Sequence, residues 1–111
     1  MMRAVEHYEK GMDFFSEDRL DDAIAEFVQA LEVQPGYADA LHALAMCYYH
    51  KNDLDQAIEW GQRYREADPD SPLPYTSLSM FYQAKGMIPE AEEMGALAQE
   101  AARRAGTDKT E

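Results

Sequence analysis

Residues 21–31 read Asp-Asp-Ala-Ile-Ala-Glu-Phe-Val-Gln-Ala-Leu, and related stretches return twice further along the chain. Each stretch carries an alanine, at Ala23, Ala57 and Ala91, and the two intervals between these alanines are equal. A fixed period between about 20 and 50 residues is typical of stacked repeats rather than of a globule with one central core. We therefore expect three copies of one structural unit along the 111 residues, and we call the interval from Ala23 to Ala57 one repeat.

Each copy is predicted to be a pair of helices, because apolar residues recur every three or four positions in both of its halves. Asp18, Asn52 and Gly86 occupy the same turn site of the three copies, and these residue types tolerate the left-handed backbone that ends a helix. Pro35 and Pro69 also stand one repeat apart and end the second helix of their copies. The sequence predicts an all-α fold, an α-solenoid of three antiparallel helix hairpins.

One domain is expected over residues 1–105, because a composition of 46% hydrophobic and 29% charged residues allows both a buried core and a charged surface. The copies lie at about residues 4–37, 38–71 and 72–105. The last helix is expected to end near residue 104, and residues 106–111 are predicted to form a disordered tail.

Several sites of the three copies resemble the tetratricopeptide repeat, and the resemblance covers roughly residues 4–105. They are a small residue in the first helix, an aromatic residue three positions later and the alanine of the second helix. These sites hold Gly11, Ala45 and Ser79; Phe14, Tyr48 and Tyr82; and Ala23, Ala57 and Ala91. The resemblance implies a right-handed superhelix.

The chain departs from the family pattern at the aromatic site of the second helix, which holds Phe27 in the first copy but Gly61 and Gly95 in the others. In the second copy Tyr64 stands where the first has Ala30, so the missing bulk is compensated one turn further along. Family members usually end in an extra helix, and we expect no separate C-terminal capping helix here. An apolar strip would then be exposed at Met94, Leu97, Ala98 and Ala101.

The first helix of each copy, here called the leading helix, carries a second apolar stripe that its own hairpin cannot cover. In proteins that this chain resembles, the leading helices line a concave groove that holds a partner peptide. Met12, Met46 and Met80 recur once in every repeat and should form a row across that groove, where flexible methionines accept varied apolar ligands. The alternative is burial of the methionines between adjacent leading helices. The predicted groove residues are Tyr8, Met12, Phe15, Asp39, His42, Met46, Tyr49, Leu73, Thr76, Met80 and Gln83.

The partner is predicted to be a protein or peptide segment that is apolar or amphipathic, with some positive charge. Part of the family grips a C-terminal carboxylate with cationic and amide side chains, but none of the corresponding sites holds one here. Those sites are Tyr8, Met12, Ala43, Leu73 and Ser77. The predicted function is an adaptor or chaperone-like scaffold. The alternative is a self-assembly module that forms homo-oligomers through the uncapped C-terminal repeat.

A formal net charge of −12 argues against a nucleic-acid partner and against an anionic membrane surface. The chain lacks a signal-peptide pattern and an apolar run long enough to span a membrane, and with one cysteine it is expected in the reducing cytoplasm.

No phosphate-binding loop, dinucleotide fingerprint or paired-histidine motif occurs in the sequence, so neither an enzyme nor a cofactor is predicted. His42 and Cys47 diverge by about 140° around a helix, and Cys47 with His50 supplies only two ligands, too few for a zinc site. Cys47 is expected to be a small buried residue, and His7 is expected to be structural.

Overall fold

The computed structural model describes the backbone of residues 1–109 and the side chains of residues 1–106. Its regular structure consists of α1 (Ala4–Ser16), α2 (Leu20–Val33), α3 (Ala38–His50), α4 (Leu54–Ala67), α5 (Leu73–Ala84) and α6 (Ile88–Lys109). The all-α solenoid is confirmed: consecutive helices pair as hairpins, and α2 and α4 join each hairpin to the next. The hand of the superhelix stays a prediction.

The turn inside each hairpin has the backbone geometry that the sequence predicted. Asp18, Asn52 and Gly86 have φ angles of 60°, 61° and 83°, all in the left-handed region. Continuing the helix through such a residue is impossible, so α1, α3 and α5 end just before it.

Two ion pairs join adjacent hairpins with the period of the repeat. Lys51 at the end of α3 pairs with Asp21 of α2, and Lys85 at the end of α5 pairs with Asp55 of α4. Exposed pairs of this kind each contribute roughly 0–1 kcal/mol, so they align the hairpins more than they hold them together.

Most of the stability comes from apolar contacts between hairpins, which form two core clusters. Phe27, Leu44 and Cys47 are fully buried in the first cluster, and Leu78 and Phe81 are fully buried in the second. The partly buried Trp60 and Tyr48 pack against both clusters and connect them. The core is therefore continuous along the stack, as expected for a solenoid.

Glycines allow close helix contacts at two different places. A Cβ atom on Gly11 would stand 2.5 Å from Cε1 of Phe27, and one on Gly61 would stand 2.8 Å from Cδ2 of Leu78. A side chain of the next helix thus occupies the space beside Gly61. Tyr64 is also buried and stacks on His42, which agrees with the expected shift of bulk by one turn.

Two expectations about the C-terminal repeat are wrong. Helix α6 continues through residues 106–109, where a disordered tail was predicted; Gly106 costs a helix only about 1 kcal/mol, and the preceding alanines and arginines favour it. Residues 110 and 111 lie outside the described part of the chain. The expected apolar strip is not fully exposed either, because Met94 and Ala101 are buried in the second cluster and the half-buried Leu97 and Ala98 pack against it.

Candidate functional site

A pocket of about 280 Å³ lies between the leading helices α1 and α3, and we call it the α1–α3 pocket. It contains six of the residues that the sequence assigned to the groove: Tyr8, Met12, Phe15, Asp39, His42 and Met46. It also contains Ala43 and His50, which were not assigned. His50 stands four residues after Met46 on the same face of α3, and that spacing is the signal that could have found it.

Aromatic contacts fix the walls of the α1–α3 pocket. The Tyr8 ring lies between Phe27 and Tyr37, with centroid distances of 5.9 and 5.4 Å. At the other end, the Phe15 and His50 rings meet edge to face at 5.5 Å. Rings held by such contacts need little ordering when a ligand binds, so the pocket is largely preformed.

The imidazole of His42 stacks almost parallel on the Tyr64 ring, with centroids 4.9 Å apart and an interplanar angle of 18°. Burial lowers the pKa of His42 from its ordinary value of 6.5, and the Asp39 carboxylate opposes only part of this change. Burial also raises the pKa of the Tyr8 phenol, with a smaller contribution from Asp39. At neutral pH the pocket therefore presents a neutral His42 imidazole and a neutral Tyr8 phenol beside the Asp39 carboxylate.

The other predicted groove residues lie outside the α1–α3 pocket. The Tyr49 ring packs on Phe81 at 5.3 Å and fills the space between α3 and α5, and Met80 packs against the second core cluster. Leu73, which is 56% exposed, and Thr76 lie on the surface of α5. Gln83 lines a different, shallower pocket together with Ser79 and Gly95. The methionine row is thus divided, since Met12 and Met46 line the pocket and Met80 does not, although Met46 and Met80 both pack against the second core cluster.

The side chains that could suggest chemistry are held in structural roles. Cys47 is fully buried, and burial raises the pKa of its thiol to about 12, so the reactive thiolate is not formed near neutral pH. Nδ1 of His7 lies 2.8 Å from Oε1 of Glu26 in a half-buried pair. Among the described residues, no group of three or more potential metal ligands comes together. No helix in that part of the chain is long and apolar enough to cross a membrane.

Comparison with known proteins gives matches over most of the chain. Residues 8–72 match a family model described as "Tetratricopeptide repeat". The chloroplastic tetratricopeptide repeat domain-containing protein PYG7 of Arabidopsis thaliana is 34% identical over 63 residues, which cover 57% of this chain and 21% of that protein. This chain therefore corresponds to only a fifth of that relative.

Two solved structures share the fold. The crystal structure of MamA superposes with a TM-score of 0.91 and 27% identity, over 95% of this chain and 61% of that one. The second tetratricopeptide domain of Spaghetti (RPAP3), solved with the HSP90 peptide SRMEEVD, superposes with a TM-score of 0.84 and 16% identity, over 90% of this chain and 93% of that one.

Proposed function

This chain belongs to the tetratricopeptide repeat family, and on that premise we propose that it is a protein-interaction module whose α1–α3 pocket binds a peptide segment. The observation that carries the proposal is the preformed pocket in which Met12 and Met46 meet aromatic walls. Its role would be that of an adaptor or a chaperone-like scaffold.

The chemistry of the pocket supports an apolar or amphipathic segment. Met12 is 38% exposed on the α1 wall, and Met46 lines the pocket from α3, so two flexible apolar side chains are available to contact a ligand. The Asp39 carboxylate at the rim would favour a lysine or arginine next to the inserted side chain.

An acidic C-terminal tail fits this pocket poorly. Although the RPAP3 domain was solved with an HSP90 peptide, three of the sites that would grip a terminal carboxylate are Tyr8, Met12 and Ala43 in this chain, and all three line the pocket without a cation. The carboxylate of Asp39 would in addition repel an acidic peptide. We therefore propose an internal segment of a partner as the ligand.

The alternative of self-assembly through the uncapped C-terminal repeat is favoured less, because Met94 and Ala101 are buried and only Leu97 and Ala98 of the expected strip stay half-buried. An enzymatic role and a cofactor are not proposed. Location in the cytoplasm stays a prediction from the single cysteine.

The test is capture of partners from a native lysate by immobilised wild-type chain and by a Met12→Glu, Met46→Glu double variant. Two carboxylates placed in the pocket should abolish capture of the specific partner and leave the helical circular dichroism spectrum unchanged. Val33→Glu is the matched control, since Val33 is 54% exposed on α2, outside both the pocket and the predicted groove, and its variant should capture normally. Capture that survives the double variant would show that the pocket is not the binding site.

A further inference from the structure

A second and larger pocket, of about 610 Å³, lies between the return helices α2 and α4, and we call it the α2–α4 pocket. Its walls include Val28 and Leu31 of α2 and Trp60 and Ala67 of α4, and its floor is Leu41. A pocket of several hundred Å³ with mainly apolar walls has the size and character of a binding site. It lies away from the α1–α3 pocket and shares none of its lining residues.

The equivalent place in the next junction of the stack holds larger groups at two positions. Tyr75 stands one repeat after Leu41, and Arg65 stands one repeat after Leu31. The Arg65 guanidinium lies over the Tyr75 ring, 5.3 Å from its centroid. The Tyr75 hydroxyl also donates a 2.7 Å hydrogen bond to the Pro69 carbonyl oxygen. Two leucines of the α2–α4 pocket thus stand where the next junction has an aromatic ring and a guanidinium, and Trp60 stands where that junction has Met94.

The charges around the α2–α4 pocket complement a cation. Glu32 on the α2 wall and Glu66 on the α4 wall line it from opposite sides. The lining cation, Arg63, is already engaged, because its guanidinium lies 4.5 Å from the Trp60 ring centroid and 3.5 Å from the Glu59 carboxylate. The net charge of −12 adds a long-range attraction for basic partners.

We propose that the α2–α4 pocket is a second docking site, and that it binds a basic amphipathic segment of a partner protein. A large apolar or aromatic side chain of that segment contacts Leu41, and a neighbouring arginine or lysine pairs with Glu32 and Glu66. The occupant thus supplies the same two groups that Tyr75 and Arg65 supply within the chain. This proposal does not depend on what the α1–α3 pocket binds.

Trp60 allows a direct test, because it is the one tryptophan of the chain and it lines the pocket. The probe is the peptide acetyl-Gly-Phe-Arg-Leu-Lys-Gly-amide, titrated to millimolar concentration while the tryptophan emission is recorded. The matched control replaces its arginine and lysine by glutamates. We expect a saturable change with the basic peptide and binding at least about tenfold weaker with the acidic one. No saturable change, or equal binding of both peptides, would overturn the proposal.

Variants locate the bound peptide. Leu41→Tyr introduces the residue found at the next junction and should reduce affinity at least about tenfold by filling the floor. Leu31→Arg should also reduce affinity by filling the pocket, from a half-buried wall position, and it replaces Leu41→Tyr in the test if that variant unfolds.

The double variant Glu32→Gln, Glu66→Gln should weaken peptide binding several-fold and reduce its dependence on salt concentration. Met12→Glu, at an exposed position of the α1–α3 pocket, should leave the affinity for the peptide unchanged. A response lost in Met12→Glu but kept in Leu31→Arg would place the peptide in the α1–α3 pocket and overturn the proposal.

Discussion

Four equivalent positions of the repeat have opposite surroundings in the first two hairpins: they face water in the first hairpin and the neighbouring hairpin in the second. In the second hairpin these positions are apolar and turn toward the first hairpin, where Leu44 and Cys47 are fully buried against Phe27. In the first hairpin, one repeat earlier, all four are polar or charged. The four are His7, Lys10, Asp13 and Glu26 in the first hairpin and Leu41, Leu44, Cys47 and Trp60 in the second.

Three of these polar residues on the first hairpin pair with one another. Glu26 lies 2.8 Å from the His7 imidazole and 3.8 Å from the Lys10 ammonium group, while the Lys10 side chain stays largely in water. The same backbone position thus faces a neighbouring hairpin in the second repeat and water in the first, and its residue type matches those surroundings. This comparison explains His7, whose structural role was predicted but whose partner was not.

The largest expected effect comes from placing a residue of the first hairpin in the second. Leu44→Lys buries an ammonium group beside Phe27 without a partner, so we expect the free energy of unfolding to fall by about 4 kcal/mol or more in urea titrations. The reverse exchange, Lys10→Leu, is the matched control and should change it by less than about 0.5 kcal/mol. Similar losses in both variants would mean that the two positions are not distinguished by burial.

An intermediate effect on stability should distinguish the contact between the two helices of the first hairpin from the corresponding contact in the third hairpin. In Gly11→Ala the new methyl group would stand 2.5 Å from the enclosed Phe27 ring, and we expect a loss of about 1–3 kcal/mol in thermal or urea unfolding. In Gly95→Ala the nearest atom would be Ser79 Oγ at 3.7 Å, an ordinary contact. Since alanine favours a helix over glycine, this second variant should gain about 0.5–1 kcal/mol. Stabilisation by both variants would contradict the close Gly11–Phe27 contact.

The smallest effect concerns the pH dependence of stability and again compares the first two hairpins. The position that Tyr8 occupies in the first hairpin is occupied in the second by the titratable residue His42. Burial lowers the pKa of folded His42 below its ordinary value of 6.5, so below that pH the unfolded chain binds a proton more readily. The contribution of His42 to stability is therefore full above about pH 6.5 and falls as the pH drops, until the folded pKa is passed.

The measurement for this pH effect is urea unfolding at about pH 7.5 and about pH 5.5. His42→Gln cannot titrate, so it should lose less stability than the wild type between the two conditions. An identical loss in both chains would show that His42 does not contribute.

The ends of α1, α3 and α5 could be predicted closely because they depend on local features. Asp18, Asn52 and Gly86 end helices through their own backbone preference, and the repeat period places each core residue relative to its counterpart. The burial of Cys47 and Tyr64 followed from the same argument.

The contents of the α1–α3 pocket were only partly predictable. Tyr49 has the helical position of a groove residue, but its ring packs on Phe81 of α5, and the direction of a ring depends on the neighbour that it meets. The α2–α4 pocket was missed because it depends on how the side chains of two neighbouring hairpins meet, which the repeat period alone does not give.

The buried thiol of Cys47 can be used to measure the opening of the junction between the first two hairpins. Because it is the one cysteine of the chain, is fully enclosed and stays protonated, a thiol reagent can modify it only while that junction is open. The rate of its modification in the native protein therefore reports how often the hairpins separate. A ligand that bridges α1 and α3 would slow this rate, so one sulfur atom can report both the motion of the stack and the occupancy of its groove.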